Sequence, residues 1–284
     1  MLKNNYHYLV AGLPDLTFED QKQKIGITEF CHALKQQLYT ADYAQVKIAL
    51  LIYDIKNLVR FLEDPSQDLS EDGNFSSADF QEQISNLSAI LPVENILPDY
   101  MVNLISYHYK NESGYNSVEY EKKLAEGYYQ YVMDTGIPFL RAITDFDYNM
   151  KNLLSTVMST EHNCYNKEIL VGNNEFVKFL KKSAGKNLTS NSEFEFLGEI
   201  LTCSNSNLYS EAERKYDQLR WNFIEDKLVF ESFSIEYILG YLMKLQIIER
   251  WTPLAPDKGE QILRMMMTGL KEQSKTQLEN LLEH

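Results

Sequence analysis

Cysteine is scarce in this sequence of 284 residues, with three in all. Cys31, Cys164 and Cys203 are far apart and odd in number, which gives no disulfide framework and fits unpaired thiols in a reducing compartment. Long apolar runs are also missing. No stretch approaches the ~20 apolar residues that cross a bilayer. The short segment Leu9-Val10-Ala11-Gly12-Leu13 follows polar residues and does not read as a signal peptide. Basic side chains are outnumbered, 27 Lys and Arg against 41 Asp and Glu, for a formal charge of −14. That balance argues against nucleic acid, whose phosphates require concentrated Lys and Arg, and it repels an anionic membrane surface. A cytosolic protein is expected, without direct membrane insertion.

The usual marks of a reaction centre are absent too. No Gly-Xaa-Xaa-Xaa-Xaa-Gly-Lys loop offers a phosphate cradle. His7, His32, His108 and His162 are isolated, and His162-Asn163-Cys164, the nearest approach to a metal-ligand pair, lacks a second pair. Cys31 and His32 are adjacent, and neighbours on a helix point about 100° apart. In so acidic a chain, pairs such as Glu211 and Glu213 carry little information, and the run Met265 to Met267 reads as a packing face. The residues nominate no catalytic group, metal ligand or cofactor.

What is present is helical periodicity and a 44% apolar composition, ample for a core. Phe30, Leu34 and Leu38 predict a helix over 28–39 capped by Thr28, with a turn near Ala41 and Asp42. Ile48 to Leu62 is the best-patterned helix and stops before Pro65. The acidic stretch 66–78 reads as a loop. Helices follow around Phe80 to Leu87, Tyr100 to Tyr109, and from Ser117 through Val118, Tyr120, Leu124, Tyr128 and Tyr131 to a break at Gly136-Ile137-Pro138. Shorter elements are expected at 164–170 and 176–180, and further helices over 194–201, 211–223, 234–251 and 263–281. Strand signals are sparse, so the expected class is all-α.

One helix is written twice. Ile48 to Leu62 and Ile143 to Val157 align without a gap at a shift of about 95 residues, and Tyr53-Asp54-Ile55-Lys56-Asn57-Leu58 faces Tyr148-Asn149-Met150-Lys151-Asn152-Leu153. At about 100° per residue, Ile48, Leu51, Ile55, Leu58, Val59 and Leu62 form an apolar stripe. Asp54 and Asn57 lie on a flank shared with Leu50 and Phe61. In the second copy Ile143, Phe146, Met150, Leu153, Leu154 and Val157 form the stripe. Such a helix is packed on two sides, and its short polar residues need hydrogen-bond partners. Lys56, Arg60 and Lys151 lie off the stripes and are candidates to face a partner. A third, weaker echo falls on Tyr241 to Trp251, with Arg250-Trp251 opposite Asn152-Leu153.

Repeated helices ending in Asn-Leu, with Asp54-Ile55-Lys56-Asn57-Leu58 intact, resemble the C subunit of V-type ATPases, called d in eukaryotes. The opening Tyr6-His7-Tyr8-Leu9-Val10-Ala11-Gly12-Leu13-Pro14-Asp15-Leu16 is similar to a family of uncharacterised bacterial proteins encoded among V-type ATPase genes. The resemblance implies three similar helical lobes, 1–92, 93–188 and 189–281, in a funnel-like, pseudo-threefold arrangement; Leu282-Glu283-His284 reads separately as a tag remnant. It implies a non-catalytic central-stalk socket that links the shaft subunits to the proteolipid ring. Such a protein would be cytoplasmic and peripheral at the inner face of the cell membrane, with no cofactor and no small-molecule substrate. Within each lobe Tyr53, Asp54, Asn57 and Leu58, and Tyr148, Asn149, Asn152 and Leu153, would be internal fastenings. Rival expectations are an all-α scaffold unrelated to rotary ATPases, and an all-α enzyme with a polar pocket of clustered His, Asp or Glu.

Overall fold

A computed structural model describes residues 4–20, 25–87, 94–110, 115–161, 165–183 and 209–252. The helices expected over 194–201 and 263–281, the lobe boundaries at 92/93 and 188/189, and Cys164, Cys203, His162 and Met265 to Met267 lie outside the described residues. Within them the protein is all-α, with ten α-helices, one 3-10 turn and no strand.

The helix boundaries follow local chemistry. The first is α1 (His7–Ala11), followed by α2 (Ile27–Gln37) and α3 (Thr40–Glu63). Gly26, not Thr28, stands at the start of α2, because the Thr28 hydroxyl donates instead to Asp72 at 2.8 Å. The turn expected at Ala41 and Asp42 is already helix, since the Asp42 and Tyr43 N–H groups donate to the Tyr39 carbonyl. Next come α4 (Ser77–Leu87), α5 (Asp99–Lys110) and α6 (Ser117–Thr135). The Asn116 side chain accepts the Glu119 N–H at 3.2 Å to cap α6, and Gly136 closes it at φ 70°, a left-handed turn that a β-carbon would strain. Of the periodic residues of α6, Val118 and Tyr131 turn outward, because the buried face is set by the four-residue steps Tyr120, Leu124, Tyr128 and Val132.

Pro138 opens α7 (Pro138–Glu161) at a position where its missing N–H costs nothing. After the 3-10 turn Lys167–Ile169 come α8 (Glu175–Ser183), α9 (Tyr209–Leu228) and α10 (Ile235–Trp251), the last capped by Ser234.

Three consecutive pairs, α2/α3, α6/α7 and α9/α10, each pack internally and against the next pair. The links between pairs are α3 on α6, α7 on α9, and α10 on both α2 and α3, so the pairs close into a ring. The ring is sealed by the N-terminal segment. The Tyr6 N–H donates to the Phe233 carbonyl at 2.8 Å, the Tyr241 hydroxyl donates to the Pro14 carbonyl at 2.9 Å, and Arg214 pairs with Glu19. Helices α4 and α5 pack outside α3, and α8 packs outside α7. One apolar core runs through most of the ring. A second lies between α7, α8 and α9, where Phe146, Met150, Leu153 and Val157 meet Phe176, Val177 and Leu180, and Phe146 stacks on Phe223 at 4.2 Å.

Helix α3 is packed on two sides, as its pattern predicts: Leu51, Leu58, Val59 and Leu62 of the stripe are buried, and so is the flank. The flank residues Leu50, Asp54, Asn57 and Phe61 are buried, whereas Ile48 and Ile55 of the stripe are half-buried. Helices α4 and α5 pack on α3 from one side, while Ile55 faces the central opening.

Candidate functional site: two amide clamps and a half-open cavity

In both long helices the Asn of Asn-Leu fastens the loop that follows. The Asn57 amide donates to the Ser70 carbonyl and accepts the Ser70 N–H, each at 2.9 Å. Asn152 does the same to Val171, donating to its carbonyl at 2.6 Å and accepting its N–H at 2.9 Å. An asparagine side chain carries one donor group and one acceptor, the complement of a peptide unit, so it substitutes for a missing neighbouring strand. Leu58 and Leu153, the next residues, are fully buried; each such burial contributes about 2 kcal/mol.

One turn earlier Asp54 accepts three hydrogen bonds, from the Asn74 N–H at 2.7 Å, the Phe75 N–H at 3.0 Å and the Asn74 amide at 2.6 Å. Gly73 is required beside it, since a β-carbon there would lie 2.5 Å from the Asp54 carboxylate. Asn149 has the matching partner in the second loop, accepting from the Asn174 amide at 2.9 Å. Asn174 also donates to Asp145 at 3.1 Å, so in this loop the acid stands one turn away from the Asn149 position.

Burial raises the Asp54 pKa above the ordinary carboxylate value, although the bonds from Asn74 and Phe75 oppose it. A raised folded pKa means that the native state holds this proton more tightly than the unfolded chain. The contribution is therefore present at low pH and is lost as pH rises through the folded pKa. Asp54→Asn, which copies the second loop, should remove that dependence. The stability of the native protein relative to the variant is expected to improve as pH falls through the raised pKa towards the ordinary carboxylate value, read by urea unfolding at a series of pH values; an unchanged difference would contradict the assignment.

The ring of α3, α6, α7, α9 and α10 surrounds a half-open cavity of about 900 Å³. Tyr53, Lys56 and Arg60 reach it from α3, Asp147, Tyr148 and Lys151 from α7, and Gln246, Glu249 and Arg250 from α10. From α9 come Glu213, Tyr216, Asp217 and Arg220. Most of these charges are engaged across the walls. Arg220 pairs with Asp147 at 2.8 Å, joining α9 to α7. Arg250 reaches Glu213 at 3.1 Å and Asp217 at 3.4 Å, and the Trp251 indole donates to Asp217 at 2.8 Å. The Tyr53 hydroxyl donates to Glu249 at 2.9 Å, joining α3 to α10.

Lys56, Arg60 and Lys151 are different. They are exposed within the opening and make no ion pair among the described residues. Lys56 lies 6.0 Å from the Tyr53 ring and Lys151 lies 5.1 Å from the Tyr148 ring, the same arrangement on two helices. The surrounding walls strip hydration from Lys151 and push its pKa down. Asp147 opposes this, while Arg220, Lys56 and Arg250 add repulsion. Burial works against the Arg220 charge as well, but Asp147, Tyr216 and Asp217 more than offset it and hold its pKa above the ordinary value. Burial raises the Asp217 pKa against the pull of Arg250 and Trp251.

The residues singled out in the sequence thus divide into two sets. Asp54, Asn57, Leu58, Asn149, Asn152 and Leu153 face loops and cores, whereas Tyr53, Lys56, Arg60, Tyr148 and Lys151 face the cavity. Asp147, Asp217, Arg220 and Glu249 were not anticipated. No spacing in the sequence points to these four, but the third wall of the cavity had a usable signal, the spacing of about 95 residues carried one step further from the cavity-facing positions. It takes Tyr53 and Tyr148 to Met243, and Lys56 and Lys151 to Gln246, and all six line the cavity. In that register Arg250 corresponds to Arg60 and not to Asn152, and it makes ion pairs instead of a loop clamp. Among the described residues no group of three or more His, Cys, Asp or Glu side chains is placed to hold a metal ion.

Fold and site together define an all-α ring protein with a charged central cavity. The profile of a family described as a protein of unknown function, DUF2764, matches residues 3–274, and the chain belongs to that family. No curated protein matches the sequence.

Proposed function

We propose that this protein is a non-catalytic central-stalk subunit of a bacterial V-type ATPase, a socket between the rotating shaft and the membrane proteolipid ring. The reading starts from the resemblance of Asp54-Ile55-Lys56-Asn57-Leu58 and its copy to the C subunit. The observation that carries it furthest is the ring of three helix pairs, in which equivalent positions of α3, α7 and α10 face one cavity. A socket needs stiff walls and a central recess. Here the walls are cross-linked by Arg220 to Asp147, Arg250 to Asp217, and Tyr53 to Glu249. No helix among the described residues is long and apolar enough to cross a membrane, so in this role the protein would be held at the cytoplasmic face by protein contacts alone. It would transmit torque for ion movement without binding nucleotide or ion.

The test is co-purification from its native cell. A tagged chain is expected to bring down the shaft subunit and to migrate with the assembled ATPase. A freely monomeric protein in cells that contain the assembled complex would overturn the proposal.

A further inference from the structure

Lys56, Arg60 and Lys151 are the cavity cations that make no ion pair among the described residues, although Asp147, one turn before Lys151, attracts it. The other cavity cations already have partners: Arg220 is taken by Asp147, and Arg250 by Glu213 and Asp217. On the acidic side Glu249 is engaged by Tyr53, which leaves Glu63 and Glu121 on the wall near Tyr115. The lining therefore has a direction, cationic at Lys56 and Lys151 and acidic towards Glu63 and Glu121. Tyr53 and Tyr148 sit beside the two lysines as flat apolar floors. An α-helix is roughly 10–12 Å wide with side chains and rises 5.4 Å per turn, so about 900 Å³ accommodates roughly two turns of helix.

We infer that the cavity receives the end of a partner-protein helix that carries carboxylate side chains, which pair with Lys56, Arg60 and Lys151. This deepens the socket reading and rests on it for the identity of the partner. The recognition chemistry stands on the cavity itself. Charge complementarity sets the approach and the orientation: acidic groups on the helix must face the lysines and stay clear of Glu63 and Glu121. Pairing with Lys151 also relieves the repulsion it suffers from Lys56, Arg220 and Arg250.

Two arms separate this inference from the proposed function. In the first, fluorescence anisotropy follows a labelled helical peptide ending in three glutamates, alongside its glutamine counterpart. The native chain is expected to bind the acidic peptide at least tenfold more tightly than the neutral one. The Lys56→Gln/Lys151→Gln variant should lose that preference, and raising the salt concentration should weaken binding. Both lysines are exposed, so the variant should keep the native melting temperature. Equal binding of the two peptides, or an unchanged preference in the variant, overturns the inference. Displacement of the peptide by millimolar inorganic phosphate alone would also overturn it, marking a small-anion site. In the second arm the same variant is used in the native co-purification. Shaft capture by the native chain and equally by the variant would sink the inference and leave the function standing. Peptide preference without shaft capture would do the reverse.

Discussion

Asn152→Ala is expected to lower the unfolding free energy by about 3 kcal/mol, and Asn57→Ala by about 2 kcal/mol. Each asparagine answers both the donor and the acceptor of one peptide unit, so truncation leaves two backbone groups without partners. The difference between the two variants comes from access to water. Val171 is buried, whereas Ser70 is half-buried and can be rehydrated when its clamp is removed. Aspartate at position 152 should not rescue, because it keeps the acceptor and loses the donor to the Val171 carbonyl. Urea unfolding with fitted midpoints and slopes measures the effect. A loss below about 1 kcal/mol for Asn152→Ala would show that the loop is held by other contacts. An Asn57 variant weaker than the Asn152 variant would show that hydration does not set the order.

Arg220→Ala should cost about 3 kcal/mol, because it strands Asp147 in a wall where the paired side chains are only 12% and 15% exposed. The Tyr216 hydroxyl lies 3.5 Å from Asp147 and is too distant to replace the guanidinium. The double variant Arg220→Met/Asp147→Leu should recover most of the loss, since it removes the stranded charge together with its partner. The same pair of variants reports on the cavity. Removing Arg220 alone takes a repelling charge from Lys151 and leaves Asp147 free to attract it, so the Lys151 pKa is expected to rise towards that of an ordinary lysine. Lysine-selective NMR titration would read that change. A single variant as stable as the double one would show that solvent compensates Asp147 and that the pair does not brace the wall.

The helical class was legible because the 3.6-residue period is local, and the duplicated helix because the two copies keep the same residues at the same offsets. The pairing of Asn57 and Asn152 with loop backbone was expected only in kind. Their partners stand 13 and 19 residues downstream, a difference of loop length that no helix pattern encodes. The packing of α3 on two sides was legible in its stripe and flank, but the partial exposure of Ile55 was not, since it depends on the cavity that the other helices form. Lys56 and Lys151 stood out as cations off the apolar stripe. Asp147, Asp217 and Arg220 did not, because charged residues on acidic helices normally face solvent and only ring closure brings these three together. The third copy was sought at the clamp position, where α10 has none, instead of at the cavity-facing positions that it keeps.

The seal between Tyr6 and Phe233 imposes an order on biosynthesis. As the chain leaves the ribosome, α2 with α3, and then α6 with α7, can pair soon after each is made, because their partners are neighbours in sequence. The N-terminal segment cannot, since its acceptors at Phe233 and its donor at Tyr241 are almost the last described residues to emerge. At about 5–20 residues per second, that wait is on the order of tens of seconds. During it the apolar edges destined for α10 remain open, so the interval before the last pair docks is when a nascent chain of this design most needs chaperone cover.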